Sequence, residues 1–178
     1  MLMLANCISS LRLLMAPALV YLLWQELFLW SLLLMLGALI SDVADGAVAR
    51  KLNQVTNIGG LLDHGSDALL VLSGLTVFAA FCVITWALPI LVVIAFAQYV
   101  WDSGSLRRAP LRASSIGKLN GMMYFAFVIL LIAREAFFLP IPNAGATNYL
   151  AWGLVLSTLI SITDRLIAIR HASRAPNN

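Results

Sequence analysis

The chain has 178 residues, of which 62% are hydrophobic and only 11% charged, with a formal net charge of +3 and a mean hydropathy of +0.95. Soluble domains carry about 25% charged residues, so the composition excludes a soluble globular protein and implies an all-α integral membrane protein whose length suits one domain. The small positive balance excludes a nucleic-acid-binding surface, because its distribution along the chain follows membrane topology.

A spanning helix needs roughly 20 apolar residues. Six segments meet this requirement, at 8–24, 27–48, 59–81, 86–105, 118–138 and 148–168. The first two are separated only by Gln25 and Glu26. A single helix through both would overshoot a bilayer at the α-helical rise, so a hairpin is predicted. The stretch Met1–Trp24 has no basic start, carries Arg12 inside its apolar run and shows no small-residue cleavage site. It is expected to be retained and not removed as a signal peptide. Residues 1–171 therefore form one six-helix domain, and 172–178 a short polar tail.

Orientation follows from the basic residues. With both ends on one side, that side receives Arg12, Arg50, Lys51, Arg107, Arg108, Arg112, Lys118, Arg165, Arg170 and Arg174, and the other side Arg134 alone. The bias predicts that both termini are cytoplasmic. Glu26 and Glu135 then fall outside, and Trp24, Trp30, Trp86 and Trp152 lie near outer helix ends as an aromatic belt. Cys7 and Cys82 would lie near opposite faces, which argues against a disulfide and for two ordinary thiols. Asp102 is placed to pair with Arg107 or Arg108. Asp164–Arg165 reads as a local or interhelical pair, and Arg134 with Glu135 as an outer rim.

The segment SDVADGAVARKLNQVTNIGGLLDHGSD holds four of the eight carboxylates: Asp42, Asp45, Asp63 and Asp67. Asp42 and Asp45 share one helical face with Gly46 and Ala49, and Gly59, Asp63 and Asp67 share another. The two helices are predicted to be antiparallel neighbours across a short cytosolic turn, with their acidic faces opposed. Small residues at 46, 49 and 59 allow close approach of a backbone or a ligand. Four carboxylates held together repel unless cations lie among them. Oxygen-only ligation suits Mg²⁺ or Mn²⁺, and four acids have the capacity for two ions, an arrangement that clamps phosphoryl groups. Acids near helix ends are individually often just solvated, but two face-matched pairs across one turn mark function in a membrane chain. Arg50, one turn past Gly46, reads as a topology anchor or as a phosphate ligand on the rim of the site. His64 points away from Asp63 on the helix and reads as a packing residue or a substrate contact.

Asp42, Asp45, Gly46, Ala49, Arg50, Gly59, Asp63 and Asp67 match every fixed position of a known signature, including its spacer. On these residues the chain resembles the CDP-alcohol phosphotransferase family. The segment ANCISSLRLLMAP, with Asn6 and Arg12, is similar to the start of that family's helix 1. The resemblance implies displacement of CMP from a CDP-linked lipid or alcohol by a second alcohol. It implies a two-metal centre on Asp42, Asp45 and Asp63, with Asp67 as a further ligand and as the base that takes the hydroxyl proton. Gly46, Ala49, Arg50 and Gly59 would hold the CDP moiety. It also implies a homodimer, and a bacterial inner membrane with the site facing the cytoplasm.

The acceptor is read from the loop SGSLRRAPLRASSIGK. Arg108, Arg112 and Lys118 offer a pocket for a phosphorylated acceptor such as glycerol 3-phosphate or an inositol phosphate, or mark topology and attraction to anionic lipid. SSIGKLNG and SGSLRR resemble the loop of bacterial phosphatidylglycerophosphate synthases, although His64, Ala68 and Asn120 depart from that subgroup. DHGSD resembles the choline and ethanolamine phosphotransferases, which act on diacylglycerol. The expected donor is CDP-diacylglycerol, and the expected acceptor a small polar alcohol. Two readings of other classes are a cation transporter with a carboxylate site and a catalytically inactive scaffold. Transporter sites usually lie at the midplane within inverted repeats, and neither feature is present in the sequence.

Overall fold

The computed structural model describes the backbone of residues 2–51, 57–102 and 115–172, and the side chains of 12–42, 64–101 and 116–167. The described residues form six helices: α1 (Leu2–Trp24), α2 (Phe28–Lys51), α3 (Asn57–Ala80), α4 (Ala87–Asp102), α5 (Ser115–Ala136) and α6 (Ala144–Ala172). The expected all-helical architecture and helix order are therefore present. Two described stretches, Ile116–Ala136 and Ala144–Ile167, are long and apolar enough to cross a bilayer. Shorter apolar stretches lie in the other four helices, at Arg12–Trp24, Phe28–Asp42, His64–Ala80 and Ala87–Trp101.

The boundaries have local causes. Helices α1, α3 and α5 all end on a non-glycine residue in the left-handed region: Glu26 (φ 56°), Cys82 (φ 57°) and Phe138 (φ 52°). At the first, the Glu26 N–H donates to the Leu23 carbonyl at 3.0 Å and the Leu27 N–H to the Leu22 carbonyl at 2.9 Å. The same pair of bonds recurs from Cys82 and Val83 to Ala79 and Phe78, and from Phe138 and Leu139 to Glu135 and Arg134. This is the Schellman pattern, which satisfies carbonyls that a helix end leaves open. It makes the expected hairpin at Gln25–Glu26, and it stops α5 two residues earlier than its apolar run suggests. Helix α6 begins four residues earlier than expected because Asn143 caps it. The Asn143 Oδ1 accepts from the Ala146 N–H at 2.8 Å, and its carbonyl from the Thr147 N–H at 2.9 Å.

Leu19 and Leu23 of α1, Met35 of α2, Leu70, Leu75 and Phe78 of α3, Leu88 of α4 and Val128, Leu131 and Ile132 of α5 are almost wholly buried and form one core. Large apolar side chains also cover the outside, among them Leu14, Ile40, Leu156 and Ile160. An aqueous surface would not favour such coverage. Trp24, Trp30, Trp86 and Trp152 are all exposed.

Helix α1 packs on α3 most extensively and also on α2. Among the described residues α2 and α3 do not pack directly on each other. The expected opposition of the two helices concerns their ends beside the 52–56 turn, where most of the side chains lie outside the described residues. Helix α1 contacts both acid-bearing helices, and the acids are brought together through a side chain of α1. Helix α2 also contacts α5, α3 contacts α4 and α5, and α6 closes on α4 and α5.

Helices α3 and α5 approach closely at Gly74, where an added Cβ would lie 2.5 Å from Val128 Cγ1. Val128 is fully buried, and its β-branched side chain has little rotamer freedom in a helix. At Gly153 nothing lies within 4 Å of an added Cβ. Gly74→Ala is expected to cost about 1–3 kcal/mol through overpacking, whereas Gly153→Ala is expected to be neutral or to stabilise by up to about 1 kcal/mol. Unfolding of the two variants in detergent, set against wild type, checks the contrast.

Candidate active site

The site is built at the ends of α2 and α3 away from the three left-handed caps. Asp42 lies in the second half of α2, and Asp67 in the third turn of α3. Arg12 of α1 reaches both. Its Nη1 donates to Asp42 Oδ1 at 3.0 Å and to Asp67 Oδ1 at 2.8 Å. One guanidinium nitrogen therefore holds the two carboxylate oxygens within two hydrogen-bond lengths of each other. The Arg12 side chain is 1% exposed, whereas those of Asp42 and Asp67 are 38% and 31% exposed. The cation is at the back of the site, and the acids lie between it and open space.

This arrangement explains why α1 carries a charge inside an apolar run. A buried guanidinium is costly unless paired and hydrogen-bonded. Arg is suited to such pairing because its planar fork presents several donors at fixed angles. The positive charge also lies where two carboxylates would otherwise repel.

The side chains of Asp45, Ala49, Arg50 and Asp63 and the surroundings of Gly46 and Gly59 lie outside what is described, as do Arg108 and Arg112. Lys118 is exposed near the start of α5. Among the described residues no group of three or more His, Cys, Asp or Glu side chains forms a metal cluster. The described pair, Asp42 and Asp67, consists of hard oxygen donors already gathered around a positive group. That donor set fits a hard divalent cation.

Beside Asp67 on α3, His64 packs against Tyr99 of α4, with ring centroids 5.8 Å apart. Arg165 of α6 lies over the same Tyr99 ring at 5.2 Å, and Phe96 packs on Tyr99 at 6.2 Å. His64 thus makes an interhelical packing contact. Arg165, expected to pair with Asp164, is mostly buried and makes a cation–π contact with Tyr99. Gln98 Nε2 donates to the Ile162 carbonyl at 3.1 Å and ties α4 to α6.

A second polar seam joins α5 to α6. Ser157 Oγ donates to Asn120 Oδ1 at 2.6 Å, and the Tyr124 and Thr158 hydroxyls share a hydrogen bond of 2.5 Å. Thr158 Oγ1 is also 2.6 Å from the Leu154 carbonyl. Asn120, whose position departs from the resembled subgroup, is buried and serves this helix contact.

Sequence reasoning placed Arg12 in the charge bias and at the start of helix 1 but gave it no role in the site. The available signal was a charged residue within an apolar run, which demands a partner, in a chain with an unneutralised acidic quartet. Nothing in the helical spacing of Asn120, Tyr124, Ser157 and Thr158 separated them from ordinary polar residues.

Comparison with known proteins gives the family. The sequence model of the CDP-alcohol phosphatidyltransferases matches residues 2–166. The chain belongs to the CDP-alcohol phosphatidyltransferase family. This is a family of transferases of phosphate-containing groups, so the resemblance carried by the acidic signature holds over nearly the whole chain. Its relatives include a CDP-diacylglycerol–glycerol-3-phosphate 3-phosphatidyltransferase of Aquifex aeolicus, 37% identical over 43% of this chain and 43% of that protein. A cardiolipin synthase (CMP-forming) of Streptomyces coelicolor is 31% identical over 58% of this chain and 50% of that protein. A CDP-diacylglycerol–glycerol-3-phosphate 3-phosphatidyltransferase of Wigglesworthia glossinidia brevipalpis is 26% identical over 74% of this chain and 78% of that protein. The match thus spans less than half of the Aquifex protein and about three quarters of the Wigglesworthia protein.

The α5–α6 seam yields a quantitative expectation. Tyr124→Phe removes one buried hydrogen bond while keeping the ring, and it should cost about 0.5–1.5 kcal/mol. Unfolding in detergent should show this loss in Tyr124→Phe, and the further addition of Thr158→Val should be less than additive.

Proposed function

We propose that this chain transfers a phosphatidyl group from CDP-diacylglycerol to a small polar alcohol, with glycerol 3-phosphate the first candidate, and releases CMP. Family membership over residues 2–166 carries the reaction class. The convergence of Asp42 and Asp67 on Arg12 is the structural observation that supports the site. The relatives named as glycerol-3-phosphate phosphatidyltransferases support the acceptor.

In this reading Asp42, Asp45, Asp63 and Asp67 hold two Mg²⁺ or Mn²⁺ ions. When bound, these ions neutralise the diphosphate charge and favour in-line displacement. Gly46, Ala49 and Gly59 leave room for the CDP moiety, and Arg50 binds its phosphates. Asp67 takes the proton from the acceptor hydroxyl. The hydroxyl oxygen forms a bond to the phosphorus that carries diacylglycerol. The bond from that phosphorus to the bridging oxygen breaks, and its electron pair leaves with CMP. Asp67 is the acid farther into α3, next to the apolar run at which a lipid would enter. Arg108, Arg112 and Lys118 bind the acceptor phosphate.

The same reading places all six helices across a membrane, the bacterial inner membrane in the first instance, with both termini and the site on the cytoplasmic side and two copies forming a homodimer. A second reading keeps the donor and takes the acceptor used by the relative named as a cardiolipin synthase. Chromatographic separation of the lipid product made from CDP-diacylglycerol vesicles distinguishes the two.

Chelation should abolish CMP release, and Mg²⁺ or Mn²⁺ should restore it. Asp42→Asn and Asp67→Asn should each lower the rate by at least about 10²-fold, the scale for loss of one electrostatic stabiliser of a transition state. Initial rates in vesicles check both statements. Turnover that survives exhaustive chelation would remove the metal reading.

The acceptor assignment has its own test. Arg108→Ala, Arg112→Ala or Lys118→Ala should raise the acceptor KM by about ten- to a hundredfold, equivalent to loss of one hydrogen bond to a charged group. The KM for CDP-diacylglycerol should stay close to wild type. Saturation kinetics with each substrate varied in turn separate the two, and three variants with unchanged acceptor KM would rule out this phosphate pocket.

A further inference from the structure

We propose that Arg12 is a positioning residue that holds the Asp42 and Asp67 carboxylates in register for divalent-metal binding. The inference rests on the metal reading given above and adds to it a fixed support from a third helix. Asp42 and Asp67 are on different helices, and these do not pack on each other among the described residues. Their relative placement is therefore not set by direct helix contact there. It is set across α1, which packs on both, by a side chain that reaches both acids.

The geometry suits this role better than a ligand-binding one. Arg12 is 1% exposed, whereas the acids it contacts are about one-third exposed. A guanidinium that met a substrate phosphate directly would have to reach past its own carboxylate partners. An ionised carboxylate has about four lone-pair sites, so accepting from Arg12 does not exhaust its capacity to ligate a metal. Partners of this kind, hydrogen-bonded to metal ligands from behind, typically change metal affinity by about 10–100-fold when removed.

Two other roles make different predictions. If Arg12 served only as a competing cation, removing it would tighten metal binding. If it served only to hold α1 against its neighbours, removing it would lower stability and leave metal affinity unchanged.

The test is Mn²⁺ binding to the purified full-length protein in detergent, followed by the loss of the free-ion electron paramagnetic resonance signal, with no substrate present. Arg12→Met keeps a long apolar stem and removes the donors. It should weaken Mn²⁺ binding by about 10–100-fold, and Arg12→Lys should fall between Arg12→Met and wild type. Circular dichroism and gel filtration establish that each variant is folded. A folded Arg12→Met with wild-type or tighter Mn²⁺ affinity overturns the proposal. If Arg12→Met does not fold, Arg12→Lys decides, and wild-type affinity there overturns it. A wild-type protein that binds no Mn²⁺ overturns the metal reading itself. Wild-type binding with no effect of Arg12 substitution overturns only the positioning role.

Discussion

A guanidinium almost wholly removed from solvent needs negative charge close at hand, and in this chain that need organises the helices around the site. Arg12 is supplied by α1, and its partners by α2 and α3. The ion pair forms only when all three helices are in place and in register. Buried pairs of this kind contribute little net stability when intact, yet breaking one by removing a single partner is costly. Arg12 therefore specifies an arrangement more than it strengthens one. Around it, the apolar side chains of Leu19, Leu70 and Met35 supply non-directional burial, which favours compactness without choosing a register.

The remaining polar contacts divide the work by location. The His64–Tyr99–Arg165 group and the Gln98–Ile162 bond connect α3, α4 and α6. The Asn120–Ser157 and Tyr124–Thr158 bonds connect α5 and α6. Where no polar contact is available, steric fit takes over, as at Gly74 against Val128. Each helix is thus tied to a neighbour by a directional contact, which an apolar bundle in lipid needs because burial alone distinguishes neighbours poorly.

Much of this was legible in the sequence for simple physical reasons. The six helices follow from runs of apolar residues, and the acid pairs from spacing that repeats on a helical face. The contribution of α1 was not legible, because pairing between residues 12, 42 and 67 is tertiary and leaves no periodic trace. The helix ends before Glu26, Cys82 and Phe138 follow from the apolar runs to within two residues, but the left-handed conformation that closes each was hidden for another reason. Left-handed caps are usually announced by glycine or asparagine, and here the backbone hydrogen bonds impose the conformation on side chains that ordinarily avoid it. Asn143 shows the reverse case, a capping residue of the preferred type whose signal lay outside the apolar run.

The three left-handed reversals have a consequence for biogenesis. In the proposed orientation they are the turns that must be carried across the membrane as α1–α2, α3–α4 and α5–α6 insert. The α1–α2 turn is only three residues long, 25–27, and brings just Gln25 and Glu26 as polar side chains. The one basic residue on that side, Arg134, is 3.2 Å from Glu135 and 3.4 Å from the Thr147 hydroxyl. In the folded protein Glu135 therefore partly offsets its charge. In that orientation such hairpins present little polar cargo for translocation.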